Sequence, residues 1–384
     1  MQNKVRRGLI AKAFVVMVAT VAVAVTTASA SSMSTWSDAE PVPGLIALNT
    51  GGVASVASVS CASAANCTIG GIYADSNGYQ GFVATQTNGT WTNAIIVPGL
   101  AALNTANEAQ VRSVSCSSPG NCTIGGSYRD SGGTQGFVAT QTNGTWTNAI
   151  IVPGLAALNT ANDAWVPSVS CSSPGNCTIG GSYRDSNGYQ GFVATQTNGT
   201  WTNAIPVPGL AALNTASGAL VQSISCTSAG NCVVGGHYTD SSGTQGFVAT
   251  QTNGTWTNAI PVPGLIALTT GGSAQVVSVS CAGDMICTIG GFFTDNTGGR
   301  AFVATLADGV WSDAIPLPGF TALNTNGAGT VRSVSCASAD NCTMGGYYSD
   351  SNGAQGFVAS LSTASDSTTS TTIVSDPIGP VYAG

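Results

Sequence analysis

The sequence predicts an all-β fold, a six-bladed β-propeller of four-stranded antiparallel blades, and three observations carry it. Tryptophan recurs every 55 residues, at Trp36, Trp91, Trp146, Trp201, Trp256 and Trp311. A Cys-x5-Cys pair recurs in the same step, from Cys61 and Cys67 to Cys336 and Cys342. Each copy holds four short runs rich in Val, Ile, Thr, Tyr and Phe, split by clusters of Gly, Pro, Asn and Ser, the composition of strands joined by turns. A unit of this size cannot bury its own apolar face and stacks on its copies.

Taken in order, the chain opens on what reads as a secretory signal over residues 1–30. Lys4, Arg6, Arg7 and Lys12 precede the apolar run Ala13 to Val25, and Ala28-Ser29-Ala30 supplies small residues for cleavage. That run is shorter than the roughly 20 residues a membrane span requires. Residues 31–361 are assigned to the propeller.

The second copy displays the unit. Strand A is Val111-Arg-Ser-Val-Ser-Cys116, strand B runs from Cys122 to Asp130, strand C from Gln135 to Gln141 and strand D from Trp146 to Val152. Pro-Gly-Asn, Asp-Ser-x-Gly and Asn-Gly-Thr clusters supply the three turns. No helix is expected in the mature chain, because glycine is frequent and apolar residues at helical spacing are not sustained.

The two ends are complementary. Trp36-Ser-Asp-Ala-Glu-Pro-Val-Pro43 matches strand D with no A, B or C before it, and the last copy ends after strand C at Leu361. The N-terminal strand is therefore expected to close the ring by pairing near Gly356 to Leu361, which removes open sheet edges. A row of small β-domains or an open solenoid is the competing arrangement. Residues 362–384 form a Ser/Thr-rich tail or linker with too little apolar content to fold.

Twelve cysteines behind an export signal imply disulfides, one per blade: Cys61–Cys67, Cys116–Cys122, Cys171–Cys177, Cys226–Cys232, Cys281–Cys287 and Cys336–Cys342. Each closes a short loop, a contribution of about 2 kcal/mol on chain entropy. Zinc is disfavoured, since each copy offers two thiols and the chain has one histidine, His237. No metal or other cofactor is expected.

The motif run Ser-Val-Ser-Cys, Asn-Cys-Thr-Ile-Gly-Gly-x-Tyr, Gly-Phe-Val-Ala-Thr and Gly-Thr-Trp resembles the Cys-paired repeats of secreted bacterial propeller proteins, over residues 36–361. The resemblance implies export and a propeller, with no activity attached. Thr-Asn-Gly-Thr-Trp, at Thr87 to Trp91 and its copies, is also similar to the Asp-box of sialidase-type propellers. Four copies carry Asn in place of the Asp of that box, and the catalytic residues of that class find no matching positions.

Charge excludes whole classes of partner. With the signal removed, five basic residues face sixteen acidic ones, a net charge of −11 with no lysine. Such a chain lacks the cations that nucleic-acid and anionic-lipid binding require. The mature chain is expected to be a monomer without a membrane span, secreted to the extracellular space or associated with the cell wall.

Catalysis finds little to rest on, and no catalytic residue is assigned. The two glutamates, Glu40 and Glu108, are far apart in sequence, and His237 occupies a position where other copies carry Ile72, Ser127, Ser182, Phe292 and Tyr347. Asp75, Asp130, Asp185, Asp240, Asp295 and Asp350 each open the turn between strands B and C, where an Asx-turn accounts for them without calcium.

Variation among copies concentrates at the start of strand A and in the B–C turn, two places that share one rim if strand A is innermost. There Gln110, Arg112, Arg129, Trp165, Arg184 and Arg332 supply the aromatic and arginine anchors of a binding surface. Trp165 is expected as an exposed indole beside Arg112. The function expected is a non-enzymatic binding or adhesion module for an extracellular saccharide or surface protein. An extracellular carbohydrate-active hydrolase or lyase is the alternative, and a structural wall-associated spacer the third.

Overall fold

The computed structural model describes residues 38–362, of which residues 41–362 belong to one compact unit. The expected signal peptide and all of the tail beyond Ser362 lie outside the described residues. Six copies of an antiparallel meander follow one another, as the sequence predicts. In the second blade strand A is Gln110–Ser118, B Asn121–Asp130, C Gly133–Thr142, and D is broken into Thr145–Trp146 and Ile150–Ile151. A pairs with B, B with C, and C with both pieces of D. Blades one, three, four and five repeat this plan, and the sixth holds A, B and C at Thr330–Ser338, Asn341–Asp350 and Gly353–Ser362.

The turns behave as their residues dictate. Asn143 and Gly144 both have positive φ, 49° and 83°, the pair of left-handed positions that a tight hairpin between C and D demands. Every one of the six B–C aspartates accepts a hydrogen bond at Oδ1 from the backbone N–H two residues on, as in Asp185 from Asn187 at 2.7 Å. All six disulfides join the two cysteines of one repeat across the A–B hairpin.

Strand A of each blade packs on strand A of the next, so the A strands form the inner layer. The joint combines an apolar contact with a hydroxyl ladder. Val166 and Val169 of the third blade lie over Gly125 of the second, where an added Cβ would sit 2.5 Å from Val166 Cγ1. The N–H groups of Val169 and Cys171 donate to Ser113 Oγ and Ser115 Oγ at 3.1 and 2.9 Å. The same pair of bonds recurs at all five joints. Because each sheet is sandwiched, strand B is buried along most of its length on both sides, as in Cys122–Tyr128. Glycine ordinarily weakens a strand. Here the Gly-Gly pair admits two neighbours at once, the valines of the next blade at Gly125 and the Gln110 carbonyl at Gly126.

One expectation is corrected. The stretch after each Pro-Gly forms a single helical turn, such as Leu100–Leu103 and Leu155–Leu158. The preceding glycine, Gly99 or Gly154, takes φ 73°, and the first apolar residue of the turn plugs the core: Leu100 and Leu155 are fully buried. Four residues are too few to show helical periodicity in the sequence.

The closing strand falls partly outside the described residues, which begin at Asp38, so Trp36 is not among them. Among the described residues the sixth sheet has three strands, and its outermost leaves Val358 and Leu361 each 48% exposed. At the other end Val56 and Val59 of the first blade are 45% and 62% exposed, while their counterparts Val111 and Val114 are buried. Both terminal faces thus stand uncovered by described residues, and each is one half of the joint made five times between them.

Candidate functional site on the strand A rim

The segment leading into strand A is tied to the preceding blade. Buried Asn159 donates from Nδ2 to the Thr134 carbonyl and to Gln135 Oε1, and its Oδ1 accepts from the Asp163 N–H at 2.8 Å. An isolated parallel bridge joins Thr134 to Asp163, and another joins Tyr189 to Gly218. The start of strand A in one blade therefore lies beside the B–C turn of the blade before it, and the two variable regions do share one rim.

On that rim a ladder of side chains crosses blades two and three. The Arg112 guanidinium lies 5.7 Å from the centre of the Trp165 ring, and the Trp165 and Tyr189 rings are 5.7 Å apart at 46°. Arg184 lies 5.4 Å from the centre of the Tyr189 ring. Asp163 holds the two rings in place: its Oδ1 accepts from Trp165 Nε1 at 2.8 Å, and its other oxygen accepts from the Tyr189 hydroxyl. That hydrogen bond, with burial second, raises the Tyr189 phenol above its ordinary range. Arg112 also donates to Ser127 Oγ at 3.4 Å, and burial lowers its pKa. An arginine remains a cation under these conditions.

Three of the six candidate residues, Arg112, Trp165 and Arg184, are thus brought together. The expectation of a freely exposed indole is corrected, since Trp165 is half-buried between an arginine and a tyrosine. Arg129 is drawn away into an exposed ion pair with Glu108 at 3.1 Å. Its counterpart Arg184 faces the shorter Asp163, which bonds the aromatic residues, and Arg184 lies over Tyr189 instead. Gln110 sits one blade before Trp165 at the same position, paired in register with Ser127. Arg332 lies over Tyr347 at 5.4 Å in the sixth blade.

Tyr189 and Asp163 are the members that sequence reasoning missed. The signal was present: the start of strand C alternates between Tyr79 and Tyr189 and Thr134 and Thr244 in the first four blades, and only the third copy has Asp before its strand A aromatic residue.

His237 lies in strand B opposite Leu220, half-buried, with Nδ1 shut off from solvent and without a partner. Burial pushes its pKa down to about 4, so it is neutral at physiological pH. Among the described residues no group of three His, Cys, Asp or Glu side chains is placed to hold a metal ion, and no helix is long and apolar enough to cross a membrane.

No protein family and no curated protein matches this chain. Solved structures similar in fold include the polysaccharide lyase Uly1, at 9% identity over 80% of this chain and 77% of that one with a TM-score of 0.48. The GH74 xyloglucanase of Xanthomonas campestris has 13% identity over 79% of this chain and 44% of that one, TM-score 0.44. The Hadza microbial sialidase Hz136 has 12% identity over 76% of this chain, TM-score 0.44, and the chain spans 62% of that sialidase. At such identities and TM-scores these likenesses bear on no residue or activity here.

Proposed function

We propose that this chain is a secreted, non-enzymatic binding module that holds an extracellular saccharide on the rim of blades two and three. The observation that carries the reading is the Arg112–Trp165–Tyr189–Arg184 ladder, with Asp163 fixing both rings. Two oriented aromatic rings offer C–H stacking faces to a pyranose, and the flanking guanidinium groups donate to hydroxyl oxygens. Pre-set rings reduce the ordering cost of binding. A surface-protein ligand is the second reading, favoured by the half-exposed Ile95, Ile150, Ile205, Ile260 and Ile315, one on the outer strand of each of the first five blades.

A glycan array combined with a broad screen for glycoside hydrolysis and lyase activity tests the proposal. Binding without turnover, weakened at least about tenfold by Tyr189→Ala, is the expected result. Turnover overturns the non-enzymatic reading. Binding indifferent to Tyr189→Ala and lost in Ile205→Glu transfers the function to the outer strands.

A further inference from the structure

A second recess on the same rim has a different chemistry. At the joints of blades four to six lies a cavity of about 300 Å³, walled by Gln222, Gln275, Phe292, Thr330, Arg332 and Tyr347 among others. One position of the repeat leaves it open. Gln275 and Thr330 stand at the position that Trp165 fills in the third blade. Gly329, where blades two to five carry the buried Ala109, Ala164, Ala219 and Ala274, adds no room, because Phe320 takes the space of the missing methyl, 2.3 Å from an added Cβ.

No Asp or Glu lines this cavity, although the whole chain carries a net charge of −7. Its one cation, Arg332, makes no ion pair among the described residues, whereas the neighbouring Arg300 is held by Asp295 at 3.5 Å. Tyr347 sits beneath the Arg332 guanidinium and Phe292 is a second aromatic wall, while Gln222 and Gln275 present amides. A volume near the lower end of ligand pockets, about 300–1,000 Å³, suits one ring rather than a chain. One planar guanidinium suits one carboxylate, held through two parallel N–H donors, better than a doubly charged phosphate.

We infer that this cavity binds a single carboxylated sugar ring. Arg332 receives the carboxylate, Phe292 and Tyr347 face the ring, and the two glutamines bond its hydroxyls. The site is separate from the ladder of blades two and three and stands or falls independently of it.

Isothermal titration of the full chain with sodium glucuronate, glucose and a sulfated glucose tests it. Saturable glucuronate binding is expected, with glucose at least about tenfold weaker and the preference erased in Arg332→Gln, as for loss of a charge-assisted pair. Gln275→Trp, which installs the third-blade residue, is expected to reduce glucuronate affinity about tenfold by filling the cavity. Trp165→Ala should leave it unchanged, and thermal melts of Arg332→Gln should match the parent, since the side chain is exposed. Equal binding of glucose and glucuronate, tighter binding of the sulfated sugar, indifference to Arg332→Gln, loss in Trp165→Ala, or no saturable binding would each overturn the inference.

Discussion

Arg112 and Trp165 meet across a joint: the guanidinium of the second blade lies 5.7 Å from the centre of the indole of the third. Neither blade alone contains the pair, so the contact exists only where the two are stacked. Trp165 is further tied to Asp163 and Tyr189.

Replacing Trp165 with alanine removes an aromatic pair, a cation–π contact and a hydrogen bond. The expected loss is about 1–2 kcal/mol of stability, more than a surface change and less than a core deletion. Trp165→Phe keeps the stack and loses only the Nε1 bond to Asp163, so its cost should be about half. Denaturant midpoints at constant slope measure both.

His237 makes acid stability a clean readout. Its pKa is about 4 in the folded chain against 6.5 for an ordinary histidine. The unfolded chain therefore takes up the proton first. The stabilisation is full well above pH 6.5 and is lost as pH falls toward 4, by roughly 3 kcal/mol over the window. His237→Phe, which copies Phe292 of the fifth blade, should flatten that part of the stability profile relative to the parent. Parallel curves for the two proteins between pH 6.5 and 4 would contradict the burial of the imidazole.

Gly180 lies under the fourth blade, where an added Cβ would sit 2.5 Å from Val221 Cγ1 and 2.8 Å from Ile224 Cδ1. Gly180→Ala should destabilise the chain by about 2 kcal/mol, the cost of overpacking a joint that cannot yield. Thermal unfolding with a matched calorimetric enthalpy checks it.

Gly345 holds the same position in the sixth blade, yet the nearest atom an added Cβ would meet is the Phe357 carbonyl oxygen at 3.5 Å. Gly345→Ala should therefore cost under about 0.5 kcal/mol. A penalty equal to that of Gly180→Ala would instead report a seated face over the sixth blade, which is what closure of the ring by the first blade requires.

The blade plan was legible because its punctuation is local. The Asn143-Gly144 turn, the Asp185 Asx-turn and the Cys171–Cys177 clip each depend on residues at most six apart, so composition carries them. The helical turn at Leu155–Leu158 was not legible, because one turn has no period and its formation rests on the tertiary burial of Leu155. At the rim, Trp165 stood out as unlike its counterparts in the other copies, and Arg112 recurs only as Arg332. Their setting did not, because Tyr189 reaches Asp163 across 26 residues and Arg129 reaches Glu108 across 21. Each of those meetings lies inside one blade, but it depends on how the entry to strand A folds back over strands B and C, which local pattern does not show.

The hydroxyl ladder gives each joint a direction: serines of one blade accept and amides of the next donate, in the same way at all five places. Energies in such a stack are sums of nearest-neighbour terms. A ring fixes the number of copies, but exchange of one 55-residue copy for another rejoins like with like, so the joints are indifferent to which copies meet. The rim is not. Arg112 belongs to one copy and Trp165 to the next, and exchange of the third repeat for any other dissolves the pair while every joint survives. The framework accepts its copies in any order, but the Arg112–Trp165 pair depends on the order in which they stand.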